Sequence, residues 1–331
     1  MQFLSWLLTA LFSLNLFACN APEPPTGNPG PALGGIHVLN TGWEDAIVLE
    51  SGGRYALIDA GEPGRGPYIV NVLQRLAGTD KVHLDFIVGT HSHVDHMGGF
   101  PYILEHPDVT IGKAYAKREK NESGHYKAFI AGCENRGIEV IQDNLDGLAL
   151  TLGNMKITLL NGAPLIGGVS NPESLCQLVE VGGMRALLAA DMVTTSSELG
   201  VLKQVGGPVD FLKVGHHGMG DSTGFLFACM LRPKAAVYTN GSSWEADSHD
   251  VTLGVAKGAK SYHRLRMAGA AQYVTTDTGG ILAVFNENGM DIRAIKEFTK
   301  KDLPSIYELR GETVLRTVVP PDDFWASLLN L

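Results

Sequence analysis

An α/β fold, specifically an αββα sandwich of two mixed β-sheets flanked by helices, is the class this sequence predicts, on three observations. From Ile36 onward, short apolar runs bounded by Gly, Asn and Asp alternate with longer stretches of helical character. The earliest runs lie close enough together to pair as hairpins, whereas later runs are separated by helix-length segments, so antiparallel and crossover pairings are both expected. With 331 residues and 44% hydrophobic content, the chain is long enough to bury a large core.

The expected strands are Ile36–Leu39, Ala46–Glu50, Tyr55–Ile58, Phe86–Val88, Lys113–Ala116, Glu139–Ile141, Lys156–Leu160, Cys176–Val181, Ala186–Ala190, Phe211–Val214, Ala235–Tyr238, Gln272–Thr275 and Ile281–Phe285. Helical spacing predicts Tyr68–Ala77, His96–His106, Tyr126–Arg136, Thr223–Leu231 and Val251–Ala259. One catalytic domain over residues 36–295 accounts for all of these elements, and no internal repeat interrupts it.

Outside that domain the composition changes. Residues 1–18 carry no charged side chain and are broken by Ser5, Thr9, Ser13 and Asn15, which reads as a secretory signal rather than a span. Leu16-Phe17-Ala18-Cys19 resembles a bacterial lipobox, with the departure that no Lys or Arg precedes the apolar run. The expectation is therefore a signal over 1–19, a Pro/Gly-rich tether over 20–35 and anchoring to a lipid bilayer through lipidated Cys19; cleavage near Ala18 without lipidation is the alternative. Such a protein is exported and faces the periplasm or exterior of a bacterial membrane. Residues 296–331, with charge clusters, Pro320-Pro321 and an apolar end from Phe324, read as a C-terminal tail.

The net charge of −9 excludes a protein held on nucleic acid by a general basic field, so no stable nucleic-acid binding is expected. Lys113–Lys120, with Lys117, Arg118 and Lys120, is a basic run, but Glu119 and Glu122 dilute it into a solvated edge. Cys133, Cys176 and Cys229 are widely spaced and lack a CxxC pattern, so buried free thiols are expected.

The chemistry concentrates in Thr90-His91-Ser92-His93-Val94-Asp95-His96-Met97-Gly98-Gly99. The preceding Phe86–Val88 has the character of a buried strand, so the cluster sits where a strand ends. In extended backbone His91 and His93 point the same way, while Asp95 and His96 fall at the turn into a helix. The paired glycines let the backbone bend closely around a metal. Four ligands exceed what one ion needs from one strand end, whereas two ions sharing the group use them all.

This HxHxDHxGG string resembles the signature of the metallo-β-lactamase superfamily. The likeness extends over roughly Ile36 to Ile295. Tyr55–Gly61 is similar to an early strand ending in Asp-x-Gly, where Asp59 buttresses the metal loop. Ala186–Asp191 resembles the strand ending in a bridging Asp, with Ala190 where Gly is usual. Leu212–Gly218 is similar to a late His-His-Gly turn, and Tyr273–Asp277 with Gly279–Ile281 resembles the closing strands. The Leu-Lys-Val-x-His-His-Gly string is closest to the hydrolase domain of competence-type DNA-uptake proteins and to phosphorylcholine esterases.

The resemblance implies that His91 and His93 hold a first ion, Asp95 and His96 a second, and that Asp191 bridges. One late histidine completes the second site, His217 in preference to His216; the other faces the substrate as a hydrogen-bond donor or general acid. About twenty positions before Asp191, where the branch often has His, this chain has Asn171, a weaker ligand through its amide oxygen. His249, flanked by Glu245, Asp247 and Asp250, occupies a place near the substrate phosphate in the resembling branch. Asp95, His216 and His249 are thus the catalytic candidates.

One or two Zn2+ ions suit the histidine-rich set, and Mn2+ or Fe suit its carboxylates. The implied function is an exported hydrolase using a metal-activated hydroxide on phosphodiester bonds of a small molecule or surface polymer. The alternatives are a β-lactam or other acyl hydrolase on the same fold, and a non-catalytic metal-holding surface module.

Overall fold

Side-chain alternation along the strands sorts residues into two cores. In β2 (Ile47–Ser51), Ile47 and Leu49 join one buried cluster while Val48 joins another, and in β3 (Arg54–Ile58) Ala56 and Ile58 part from Tyr55 and Leu57 in the same way. A strand buried on both faces needs a layer on each side. The computed structural model describes residues 31–118, 123–163, 171–240, 259–275 and 279–295 and supplies those layers.

The first sheet has eight strands in the order β15-β14-β1-β2-β3-β4-β5-β6. They are β1 (Ala32–Leu39), β2, β3, β4 (Val82–Gly89), β5 (Val109–Ala116), β6 (Glu139–Ile141), β14 (Gly280–Asn286) and β15 (Gly289–Ala294). The second sheet has seven, ordered β13-β12-β11-β10-β9-β8-β7. These are β7 (Ala149–Leu152), β8 (Met155–Leu160), β9 (Cys176–Val181), β10 (Met184–Leu188), β11 (Phe211–Lys213), β12 (Ala235–Tyr238) and β13 (Ala271–Val274). Both sheets are mixed: β3 to β6 and β10 to β13 run parallel, while their hairpin neighbours run antiparallel.

Between the sheets lie Ile36, Leu49, Ile58 and Val88 with Ile157, Val179, Leu188 and Val237. The outer face of the first sheet is covered by α1 (Gly66–Ala77), α2 (Val94–Met97), α3 (Phe100–Glu105) and α4 (Gly124–Asn135), through residues such as Leu73, Phe100 and Phe129. Over the second sheet lie α5 (Ser196–Val205), α6 (Phe225–Leu231) and α7 (Ala259–Met267), contributing Val201, Phe227 and Leu265. The αββα sandwich expected from the sequence is the fold observed.

Several elements differ in detail. β1 begins at Ala32 rather than Ile36, because Gly34 and Gly35 pair with Phe285 and Val284 of β14. Helices α5 and α7 go beyond the sequence expectation: half of α5 is polar, and in α7 the buried residues among those described are Ser261, Tyr262 and Leu265. Most of the expected helix Val251–Ala259, like the signal, tether residues 20–30 and the tail, lies outside the described residues. Lys117 is not part of a solvated edge: it is buried and donates to the carbonyls of Asn161 and Glu173, at 2.8 and 3.0 Å. Cys133 and Cys176 are buried free thiols, and Cys229 is half-buried and free.

The expected helix His96–His106 is two pieces. Gly98 and Gly99 have φ of −62° and −81°, conformations open to any residue, so backbone freedom is not why they are glycines. Steric space is. A Cβ on Gly99 would overlap the Ala60 carbonyl oxygen, and one on Gly98 would meet Pro63 and the Val94 carbonyl. The gap lets Ala60 N–H donate to His96 O at 2.7 Å and Gly99 N–H to Gly61 O at 2.9 Å, clamping the histidine loop onto the exit of β3. Gly99→Ala is expected to lower stability in urea denaturation by about 1–3 kcal/mol. Gly124→Ala, where a Cβ meets nothing within 4 Å, should change it by no more than about 1 kcal/mol.

Candidate metal centre

The carboxyl ends of parallel strands in both sheets open onto one edge of the sandwich, the place where α/β sheets present ligands. From the first sheet, β3 delivers Asp59, and β4 runs into His91 and His93 before α2 begins with Asp95 in its first turn. From the second, β10 leads to Asp191, β11 to His216 and His217, and β12 to Thr239.

Among the described residues, two groups that could each hold a cation share one carboxylate, and a third, Asp45, Asp59 and His96, lies on the outer side of His96. His91, His93 and Asp191 make the first; Asp95, His96, Asp191 and His217 make the second. Asp191 Oδ1 lies 3.2 Å from both His96 Nε2 and His217 Nε2, while Oδ2 lies 3.7 Å from His91 Nε2. Asp95 Oδ2 is 3.2 Å from His217 Nε2 and 3.8 Å from His96 Nε2. His91, His96, Asp191 and His217 are buried, Asp95 is half-buried and His93 is exposed, so the centre opens to solvent on one side.

The outer ring nitrogens of His91, His96 and His217 are each held. His96 Nδ1–H donates to Asp59 Oδ2 at 2.7 Å. His91 Nδ1 is 3.2 Å from Thr90 Oγ1, and that hydroxyl donates to Asp59 Oδ2 at 2.7 Å. His217 Nδ1 is 3.1 Å from Thr239 Oγ1, which donates to Asp45 Oδ1 at 2.6 Å. Two threonine relays thus tie imidazoles to buried carboxylates, one from each sheet, and leave the Nε2 lone pairs pointing inward.

Asp45 has a second task. Lys213, fully buried at the end of β11, forms an ion pair with it and also donates to the Ala190 carbonyl at 2.9 Å. The His216 N–H donates to the same carbonyl, also at 2.9 Å. Ala190 is therefore fixed in the left-handed region, φ 44°, a conformation that favours glycine and costs an L-residue about 1–2 kcal/mol. The Asp-bearing loop and the histidine turn are held together at that carbonyl.

Whether these residues suit metal cations is answered by atoms that nothing else satisfies. His91 Nε2, His96 Nε2 and Asp191 Oδ1 are buried and make no hydrogen bond of acceptable geometry, although they converge. Charge points the same way. Asp45, Asp59, Asp95 and Asp191 place four carboxylates in and beside the centre, and Lys213 pairs with Asp45 alone, leaving negative charge for protonated imidazoles or divalent cations to balance.

Without cations, protons carry part of that load. Burial disfavours charge on His217, but the negative charge of Asp191, with the carboxylates of Asp45 and Asp95 close enough to accept from a protonated ring, overcomes it and raises the imidazole to about 10. His96 is likewise raised well above its ordinary range, burial being outweighed by Asp191 and Asp59. Burial works to raise the Asp95 carboxyl, yet the His217 hydrogen bond and the charges of His96 and His217 bring it down to about 2. His91, buried beside the charge of His96, is pushed well below its usual value.

The structure brings together His91, His93, Asp95, His96, Asp191 and His217, with His216 and Asn171 beside them; Asn171 Nδ2 lies 3.1 Å from His216 Nε2. His249 lies outside the described residues. The sequence motifs give Asp45 and Thr239 no place in the centre, and include Thr90 and Lys213 without a role for either. For Lys213 a signal existed: a lysine between Leu212 and Val214 in a buried strand must find a carboxylate or carbonyl.

A family model described as the metallo-β-lactamase superfamily matches residues 44–238, which hold every ligand named above. ComE operon protein 3 of Bacillus subtilis is 28% identical over 165 residues, 48% of this chain and 20% of that protein. Recombination protein 2 of Haemophilus influenzae is 23% identical over 224 residues, 65% of this chain and 26% of that protein. The chain therefore spans about a fifth to a quarter of the length of these curated relatives. Among solved structures, YhfI of Bacillus subtilis, described as a metallo-β-lactamase fold protein, aligns with a TM-score of 0.51 at 13% identity, over 76% of this chain and all of that one.

Lys213→Met is expected to cost about 3–5 kcal/mol in urea denaturation, because it leaves the Asp45 carboxylate buried without its cation. Asp45→Asn combined with it should lose less than the two single changes added together. In the metal-free chain the raised His217 contributes stability that is complete below its ordinary 6.5 and fades as pH climbs toward about 10. Cation binding needs the neutral ring, so the rise in Tm on adding zinc should be larger at pH 8 than at pH 6. A rise that is flat or shrinks with pH would contradict this proton-for-metal exchange.

Proposed function

The chain belongs to the metallo-β-lactamase superfamily, and on that premise we propose that it is a metal-dependent hydrolase of phosphodiester bonds, exported and held at a bacterial membrane through lipidated Cys19. The observation that carries the reading is the shared carboxylate: Asp191 turns one oxygen to His96 and His217 and the other to His91. A centre divided in this way suits in-line displacement at phosphorus, where charge builds on both the entering and the leaving oxygen. Bound there, divalent cations supply Lewis acidity toward substrate oxygens and bring the pKa of a water into the neutral range.

The chain's own residues set the geometry. His91, His96 and His217 are locked by their outer partners, so little reorganisation accompanies the reaction. Asp95, ionised throughout the neutral range and open on one side, accepts a hydrogen bond from the attacking water and orients it. The leaving oxygen emerges toward the open side, where His93 meets solvent, and takes its proton from water there; the family resemblance offers His249 as a candidate donor.

Part-length similarity to a protein named for recombination, a process in which phosphodiester bonds are broken, supports phosphorus over a lactam carbonyl as the reacting centre. The acidic net charge favours a small phosphodiester or a phosphodiester on a surface polymer over a long nucleic acid gripped by its backbone.

With zinc or manganese added, the protein should hydrolyse bis(p-nitrophenyl) phosphate and leave nitrocefin intact. Asp191→Asn should cut that rate by about 10²-fold or more while the circular dichroism spectrum is retained. Nitrocefin turnover without diester turnover overturns the phosphodiester reading, and metal uptake without either activity leaves the non-catalytic module. Cys19→Ser should move the expressed protein from the membrane fraction to the soluble exported fraction.

A further inference from the structure

We propose that His216, rather than Asn171, is the fourth protein ligand of the first cation, so that the adjacent pair His216-His217 straddles Asp191 with one imidazole on each ion. The inference rests on reading this site as a two-cation centre. Around Asp191 the geometry is close to symmetric. Oδ1 has His96 Nε2 and His217 Nε2, both at 3.2 Å; Oδ2 has His91 Nε2 at 3.7 Å and His216 Nε2 at 4.0 Å. His216 Nε2 thus lies beside the same Asp191 oxygen as His91 Nε2, at 4.0 Å against 3.7 Å.

The backbone explains how neighbouring residues reach one carboxylate. In extended chain their side chains would point to opposite faces. Here both lie in the left-handed region, with φ of 45° for His216 and 52° for His217, and the rings sit 6.2 Å apart between centroids. Two consecutive non-glycine residues in that region cost about 1–2 kcal/mol each, a strain retained where it places functional groups. A β-turn serving only to reverse the chain has no need of it.

The outer nitrogen gives the second argument. His216 Nδ1 is 2.9 Å from Asp221 Oδ1, so Nδ1–H donates to the carboxylate and Nε2 keeps its lone pair. This carboxylate–imidazole pairing matches that of His96 with Asp59 and is the arrangement that orients metal-ligating histidines. A ring held in this tautomer has no proton on Nε2 to give a leaving group.

Asn171 is the rival. Its Nδ2 donates to His216 Nε2 at 3.1 Å, and its Oδ1 is buried without a hydrogen-bond partner, so the amide sits next to the same coordination position. An amide oxygen is a weaker ligand than imidazole for zinc or another borderline cation. The structure therefore gives Asn171 the lesser part: it occupies the His216 lone pair until a cation takes it.

The test is cation binding by the metal-stripped full chain, read by calorimetric titration with Co2+ and by the visible absorption of each bound Co2+. Wild type should take up two ions. His216→Ala should weaken one of them by about 10–100-fold or more and leave the other within about threefold. Asp221→Asn, a change at an exposed position that leaves the fold alone, should weaken the same ion by about tenfold, whereas Asn171→Ala should stay within about threefold. Two ions bound as tightly by His216→Ala as by wild type would overturn the assignment, as would loss of the first ion in Asn171→Ala but not in His216→Ala. Uptake of no ion by wild type would overturn it together with the proposed function. A His216-dependent ion in a protein that turns over no ester would sink the hydrolase reading alone.

Discussion

Asp191 is the carboxylate on which the rest of the centre is built. It is buried and shared by histidines from both sheets, and its pKa is held far down: burial opposes ionisation, but the charges of His217 and His96 prevail. Three more carboxylates, Asp45, Asp59 and Asp95, stand nearby, and Lys213 is a permanent cation paired with Asp45. So much buried negative charge is unstable without counter-charge, and the fold supplies it only in part. The molecule is thus assembled around a need for cations.

The two sheets meet that need in matched ways. Thr90, at the end of β4, passes a hydrogen bond from His91 to Asp59; Thr239, at the end of β12, passes one from His217 to Asp45. Backbone strain gathers at the same place. Asp59, Ala190, His216 and His217 all have positive φ without being glycine, and each either binds toward the centre or carries the peptide that aims a ligand. The Lys213 and His216 donors on the Ala190 carbonyl keep one of these conformations in place.

Legibility in the sequence followed distance along the chain. His91, His93, Asp95 and His96 fall within six positions, so their clustering shows in one line of text. The layered sheet architecture was legible because doubly buried strands leave uniform apolar runs such as Phe86–Val88 and Ala235–Tyr238. Asp45 was not, because its contact with Thr239 spans 194 positions and a lone Asp before a strand looks like any turn residue. Helix α5 escaped notice for a related reason. Glu198 faces inward, where its carboxylate accepts from Gly224 N–H at 3.0 Å, so a residue that marks the exposed face of most helices here marks the buried one. The glycines of the histidine loop show in the sequence, but their reason does not: they make room for Ala60 and Pro63 and adopt ordinary dihedrals.

The most direct measurement is anomalous diffraction at the metal edge from crystals of the protein loaded with zinc or manganese. The account predicts two peaks about 3.5–4 Å apart, one on each side of the Asp191 carboxylate. A single peak away from Asp191, or a loaded, active protein with no peak within coordination distance of it, would contradict the claim that this carboxylate is shared between two cations.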